Sequence, residues 1–143
     1  MKTIGIDLDG TITPYGFCNP GVMKLPWWLF FFLIPFVLLF RPRKSVIEKM
    51  RLARARGCRL LIITSRPNQF FWFTERLLLF YHVPFDDLFC VGFGKGSNER
   101  KLEVILREKA EAFVDSNKGV LKFMKEHSIL AFSNLDYLEK EGR

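Results

Sequence analysis

Cysteine is scarce in this chain, and what there is does not pair. The three cysteines, Cys18, Cys58 and Cys90, are odd in number and lack the spacing of a zinc or dithiol site. A disulfide framework is therefore excluded, and a reducing compartment is expected. Cys58 and Cys90 flank apolar runs and read as reduced core thiols. The N-terminus shows no secretory leader pattern, because its first apolar run is short and contains acids. Internal repeats and low-complexity linkers are missing too. The basic residues are dispersed and form no nucleic-acid reading motif, so no nucleic-acid partner is expected.

What remains is one domain, residues 1–143, large enough to bury a core. Hydrophobic residues make up 49%, an ordinary share, but Phe is over-used at 16. The net charge of +7 favours anionic partners such as anionic lipid or a phosphorylated substrate.

Apolar runs and helical periodicities alternate along the chain. TIGIDL (3–8), CRLLIIT (58–64), EAFVDSN (111–117) and ILAFS (129–133) read as strands, and FDDLFCVGF (85–93) carries another. RPRKSVIEKMRLARARG (41–57), SRPNQFFWFTERLLLFYHV (65–83), SNERKLEVILREKA (97–110) and KGVLKFMKEHS (118–128) read as helical segments. That alternation predicts the α/β class: a Rossmann-like three-layer α/β/α sandwich around a parallel sheet of about five strands. Ligand sites in such sheets lie beyond the carboxyl ends of the strands. The residues at those ends are Asp7 and Asp9, Thr64 and Ser65, and Asp115.

Asp7 and Asp9 point the same way along an extended chain. With Asp115 they would repel unless a cation lay between them, and oxygen ligands favour a hard ion, Mg²⁺. A carboxylate there can serve as a nucleophile, and Thr64 or Ser65 can hydrogen-bond a phosphoryl oxygen. A lysine near the site would neutralise developing charge. Gly10 and Arg66 lie beside these residues and are further candidates for binding a substrate phosphate.

DLDGT after a strand, IITSRP after a second, a following lysine and then AFVDSN resemble the four ordered motifs of the haloacid dehalogenase (HAD) phosphatase superfamily. The resemblance spans residues 4–118, and the segment HVPFDDLFCVGFGKG (82–96) is also similar to the link between the second and third motifs of small members. It implies that Asp7 is the nucleophile and that Asp9 is the general acid/base, whose main-chain carbonyl also meets the metal. It implies that Thr64 is the hydroxyl of motif two, and that Asp115 binds Mg²⁺. Lys101 is the choice for the lysine of motif three, with Lys95 as the alternative. Metal ligands are thus expected from Asp7, Asp9 and Asp115. Motif four departs from the family: Ser116 and Asn117 stand where a second acid is common, which leaves less charge to hold the ion.

Between the first two motifs lies an insert, residues 22–44, in the position of the family's cap. Its core, PWWLFFFLIPFVLLF (26–40), has about 15 residues, short of the roughly 20 that a spanning helix needs. Pro35 would break it. Lys24 precedes it, while Arg41, Arg43 and Lys44 follow, so both ends are expected on the cytoplasmic side. The expected form is a re-entrant helix–Pro–helix wedge in one leaflet, with Trp27, Trp28, Phe31, Pro35 and Phe36 in contact with lipid. Arg41 and Arg43 are candidates for a phosphorylated headgroup. An oligomer interface or a buried core helix are the competing readings. Taken together, the expectation is a Mg²⁺-dependent phosphomonoesterase on the cytoplasmic membrane face, acting on a lipid-linked phosphate such as a polyprenyl or glycerophospholipid phosphate. The alternatives are a cytoplasmic, oligomeric phosphatase of a nucleotide or sugar phosphate, and a non-catalytic scaffold.

Overall fold

The computed structural model describes residues 1–14 and 41–136. Most of the apolar insert, with Cys18, Trp27, Trp28, Phe31, Pro35 and Phe36, lies outside the described residues.

Among the described residues ten elements follow one another: β1 (Thr3–Ile6), α1 (Lys44–Ala55), β2 (Arg59–Thr64), a 3₁₀ turn (Asn68–Phe70), α2 (Phe71–Phe80), β3 (Asp87–Cys90), α3 (Ser97–Arg107), β4 (Ala112–Val114), α4 (Lys118–Glu126) and β5 (Leu130–Phe132). The strands pair in parallel in the order β3-β2-β1-β4-β5. This is the α/β architecture that the alternation predicts.

The strands are near-continuous apolar runs because both faces of the sheet are covered. On one face, Ile4, Ile6, Leu60 and Ile62 pack with Ile47, Met50 and Ala53 of α1 and Leu78 of α2. On the other, Leu61, Ile63 and Phe113 pack with Val104 and Ile105 of α3 and Leu121 and Met124 of α4. The side chains of successive residues in β2 therefore serve opposite layers.

The strand order fixes where a site can form. The chain builds outward from β1 to β2 and β3, then returns to the far side of β1 for β4 and β5. The reversal lies between β1 and β4, and the crevice beyond their carboxyl ends is where ligands bind in open sheets of this kind. Asp7 follows β1 and Asp115 follows β4, so the topology sets these two acids side by side.

Candidate active site

Asp7 is the first residue beyond β1, and its backbone N–H donates to the Val114 carbonyl at 2.8 Å. Asp115 follows β4, and its N–H donates to the Phe132 carbonyl at 3.1 Å. Both side chains are buried. Lys101, on the second turn of α3, reaches over the Phe113 ring to meet them. Its Nζ donates to Asp7 Oδ1 at 2.7 Å and to Asp115 Oδ2 at 3.0 Å. Asp115 Oδ1 accepts from the Asn117 N–H at 2.8 Å.

Burial pushes the Asp7 carboxyl up to about 7, Lys101 pulls it down, and the charges of Asp115 and Asp9 add to the rise. Burial alone would lower the Lys101 ammonium. The attraction of Asp7 and Asp115 outweighs that and holds it above the ordinary lysine range. Lys101 thus stays charged, and two carboxylates share one ammonium.

Asp9 points elsewhere. Its carboxylate takes a two-pronged bond from Arg66: Nη2 to Oδ1 at 2.8 Å and Nε to Oδ2 at 3.0 Å. The Thr64 hydroxyl donates to Oδ2 at 3.3 Å and accepts the Arg66 N–H at 3.3 Å. Arg66 is only 2% exposed, and its Nη1 donates to the Thr74 hydroxyl of α2 at 3.3 Å. Arg66, expected to bind substrate phosphate, is therefore a buried fork on Asp9. A planar guanidinium matches a carboxylate edge in this way. The expected trio of carboxylates around a cation becomes a pair, Asp7 and Asp115, with Asp9 turned toward Arg66. Among the described residues no three acid, histidine or cysteine side chains group as a metal site.

The remaining candidates divide between edge and periphery. Gly10 has φ +86°, and a Cβ there would lie 2.8 Å from Ser116 Oγ. The turn after the acids thus needs glycine both for its backbone and for its closeness to the loop after β4. Thr11 Oγ1 accepts the Ser116 N–H at 3.0 Å and ties those two loops together. Ser65 Oγ meets Ser97 Oγ at 2.9 Å, which joins the end of β2 to the start of α3. Lys95 is exposed on the loop before α3, whereas Lys101 is buried between the acids. Arg41 and Arg43 are exposed ahead of α1, and Arg43 occupies its N-cap position. Burial raises the Cys90 thiol to about 11, with Arg66 opposing and Asp9 adding. Cys90 is therefore a thiol at neutral pH and no nucleophile.

No protein-family model and no curated protein matches the chain. Solved structures do. Two structures of the Pnkp1/Rnl/Hen1 complex, one of them described as an RNA repair complex, align with TM-scores of 0.67 and 0.69 at 22% and 21% identity over 92% of this chain. This chain spans 41% and 45% of the length of those chains. The HAD domain of the effector protein Lem4 from Legionella pneumophila, solved as an inactive mutant, aligns with a TM-score of 0.62 and 15% identity, over 98% of this chain and 91% of that one. The chain has a HAD-like fold.

Within this HAD-like frame the donor set can be tested against a divalent cation. Asp7 Oδ2 is buried and accepts no hydrogen bond from the described residues. Two carboxylates against one ammonium leave an excess of negative charge at a place lined by oxygen. Those are conditions that suit a hard cation such as Mg²⁺, so the residues fit. Asn117 is not a spare ligand for it: its Oδ1 accepts from the N–H groups of Gly119 and Val120 and caps α4. The departure in motif four is thus a helix cap.

Sequence reasoning missed several residues that shape this HAD-like edge. Thr11 was within reach, since it follows the acids in DLDGT. Thr74 gave no signal, because a threonine inside a helix usually serves the helix itself. Arg100 gave none either. Its guanidinium donates to the carbonyls of Val91, Gly92, Phe93 and Lys95 and gathers the loop between β3 and α3.

Proposed function

We propose that this chain is a Mg²⁺-dependent phosphomonoesterase that works through an aspartyl-phosphate, on a phosphate carried by a membrane lipid. The observation that carries the chemistry is Lys101 held between Asp7 and Asp115 at the topological switch point, with Asp7 Oδ2 accepting no hydrogen bond from the described residues. A carboxylate oxygen so placed is a nucleophile with its negative charge already balanced in part.

In the proposed reaction Asp7 attacks phosphorus. The new O–P bond forms as the bond to the leaving oxygen breaks, and the electron pair goes to that oxygen. Asp9 supplies the proton that the leaving oxygen takes up. A water oxygen then attacks the phosphorus of the aspartyl-phosphate, Asp9 accepts the water's proton, and the P–O bond to Asp7 breaks to release inorganic phosphate. Lys101 balances charge on Asp7 and on the phosphoryl group throughout. Thr64 and Arg66 hold Asp9 in one orientation while it gives and takes the proton. Asp7 and Asp115, with the main-chain carbonyl of residue 9 as the resemblance suggests, would hold Mg²⁺. Bound there, the ion would neutralise the phosphoryl oxygens.

The membrane part of the proposal is supported by sequence and by one contact. The Arg43 N–H donates to the Ile12 carbonyl at 2.9 Å, so the described residues on either side of the apolar run meet beside the loop that carries Asp9. A lipid-inserted segment between those ends would bring the catalytic edge to the bilayer surface. Among the described residues no helix is long and apolar enough to cross a membrane, and a one-leaflet wedge needs none.

The test is Mg²⁺-dependent phosphate release, measured with an aryl phosphate, with phosphorylated lipids and with water-soluble nucleotide and sugar phosphates. The expected result is turnover of the aryl phosphate, preference for the lipid phosphates, and loss of both in Asp7→Asn with folding intact. An inactive wild-type chain would leave the scaffold reading standing. Preference for a soluble phosphate would sink the lipid assignment alone.

A further inference from the structure

Helix α2 is apolar on both of its sides. Thr74, Leu77 and Leu78 face inward and are buried, and Phe71 packs beside them. The outward strip consists of Trp72, Arg76, Leu79 and Phe80, whose spacing puts them on one face. Trp72 is 65% exposed, Leu79 51% and Phe80 69%. A surface helix of a globular domain normally turns its charges that way, so this strip is built to be covered. The Arg76 guanidinium lies 5.7 Å from the Trp72 ring centre, which sets a cation at the edge of the aromatic surface.

The neighbouring helix supplies more positive charge. α1 packs on the same sheet face as α2, because Met50 and Ala53 share a core with Leu78. From Lys44 to its C-cap Arg56 it carries Lys44, Lys49, Arg51, Arg54 and Arg56 against one acid, Glu48. Lys49 and Arg54 pair with Asp136 and Asp86, and the layer still keeps an excess of positive charge. Leu52, 54% exposed, adds to the apolar area on α1. α1 is also the element into which the apolar run of residues 26–40 leads.

We propose that the outer face of the α1–α2 layer docks on an anionic lipid bilayer. Trp72, Leu79 and Phe80 would enter the headgroup boundary, and the arginines of the layer would meet lipid phosphates. Apolar side chains with a cation beside them and a basic neighbouring helix fit that boundary, where aromatics prefer to sit and each basic residue adds attraction to anionic lipid. A protein partner fits less well. A specific protein interface buries about 1,200 Å² or more, and a strip on a helix of ten residues is only about 15 Å long. This inference rests on the reading that the protein works at a membrane, and it adds which face lies against the lipid.

Tryptophan fluorescence tests it on the full chain. Trp27→Phe with Trp28→Phe leaves Trp72 as the single tryptophan. Vesicles of phosphatidylglycerol mixed with brominated phosphatidylcholine are the probe, and vesicles of brominated phosphatidylcholine alone are the comparison. Expected are co-sedimentation with the anionic vesicles and about twofold quenching of Trp72, as for a ring at the acyl boundary. Leu79→Ser with Phe80→Ser, checked for folding by circular dichroism, should weaken the partitioning of Trp72 about tenfold. Co-sedimentation with Trp72 unquenched would overturn the docking face and leave the membrane reading intact. No vesicle binding at all would overturn both. Equal quenching by the two vesicle types would remove the role given to the arginines. A dimer in sedimentation that shields Trp72 without vesicles would assign the face to a second copy instead.

Discussion

Asp7 is a buried acid whose ionised form is held at a cost. Folding raises its carboxyl from an ordinary 3.8 to about 7, chiefly through burial. Between these two values the folded chain binds a proton that the unfolded chain has lost. Unfolding then releases a proton, and stability falls as pH rises from about 4 to about 7 before levelling off. Asp7→Asn has no such dependence. In chelator-treated buffer, its melting temperature should gain on that of wild type across this window and keep a constant lead above it. A lead that shrinks as pH rises would show that Lys101 more than offsets the burial. Arg66 makes the opposite case, a buried charge that is fully paired. Arg66→Met would leave the Asp9 carboxylate facing an apolar chain, at about 3–5 kcal/mol by the usual cost of breaking a buried pair. Thr74→Val would remove a single anchor at about 1 kcal/mol. Because the Arg66 donors are spent on Asp9 and Thr74, the variants should lower kcat on an aryl phosphate and leave KM within about twofold. A large rise in KM would return Arg66 to the substrate. Asp7, Lys101 and Asp115 could be picked out in the sequence because each stands at a strand end or within an ordered motif. The Arg66 fork could not, since it joins residues 57 apart through rotamers that no periodicity encodes.

Elements were easier to read than their ends. Every strand and helix of the described residues was expected in its place, because buried parallel strands are short apolar runs and the helices carry clear stripes. Their limits were not. The first strand was expected to run to Leu8, yet it stops at Ile6, where Asp7 swings to the edge of β4. The third was expected somewhere within 85–93 and spans Asp87–Cys90. Asp86 accepts the Leu60 N–H with its side chain, and Arg100 draws the following loop together. The stretch from Asn68 begins as a 3₁₀ turn before α2. Side-chain bonds of this kind end elements without leaving a mark in hydrophobic spacing. The cap on α4 is such a bond and can be measured. Asn117→Ala frees the N–H groups of Gly119 and Val120 and should cost about 1 kcal/mol in urea unfolding. The effect on phosphate release should be small, since the Asp115 contact comes from the Asn117 backbone. A collapse of activity without loss of stability would mean that the Asn117 side chain serves the reaction directly.

For the molecule as a whole, the proposed membrane role makes the apolar insert a part that can be removed from the α/β frame. Among the described residues, five strands and four helices draw on residues 3–6 and 44–132. The described residues on either side of the apolar run meet where the Arg43 N–H bonds to the Ile12 carbonyl. Loop-closure cost changes slowly with length, so replacing residues 26–40 by a short Gly–Ser link should not strain the frame. If the insert serves the membrane and not the core, the shortened chain should melt within a few degrees of wild type. It should also hydrolyse a small aryl phosphate at a rate within about threefold of the parent, because the proposed reacting groups lie at the ends of β1, β2 and β4 and on α3. What it should lose is activity on phosphorylated lipid in vesicles, together with most of its recovery in the membrane fraction. Turnover of the aryl phosphate and the lipid phosphate in the same preparations checks both halves. If the two activities fall together, the insert shapes the pocket as a cap. If neither falls, the α1–α2 face alone brings the chain to its substrate.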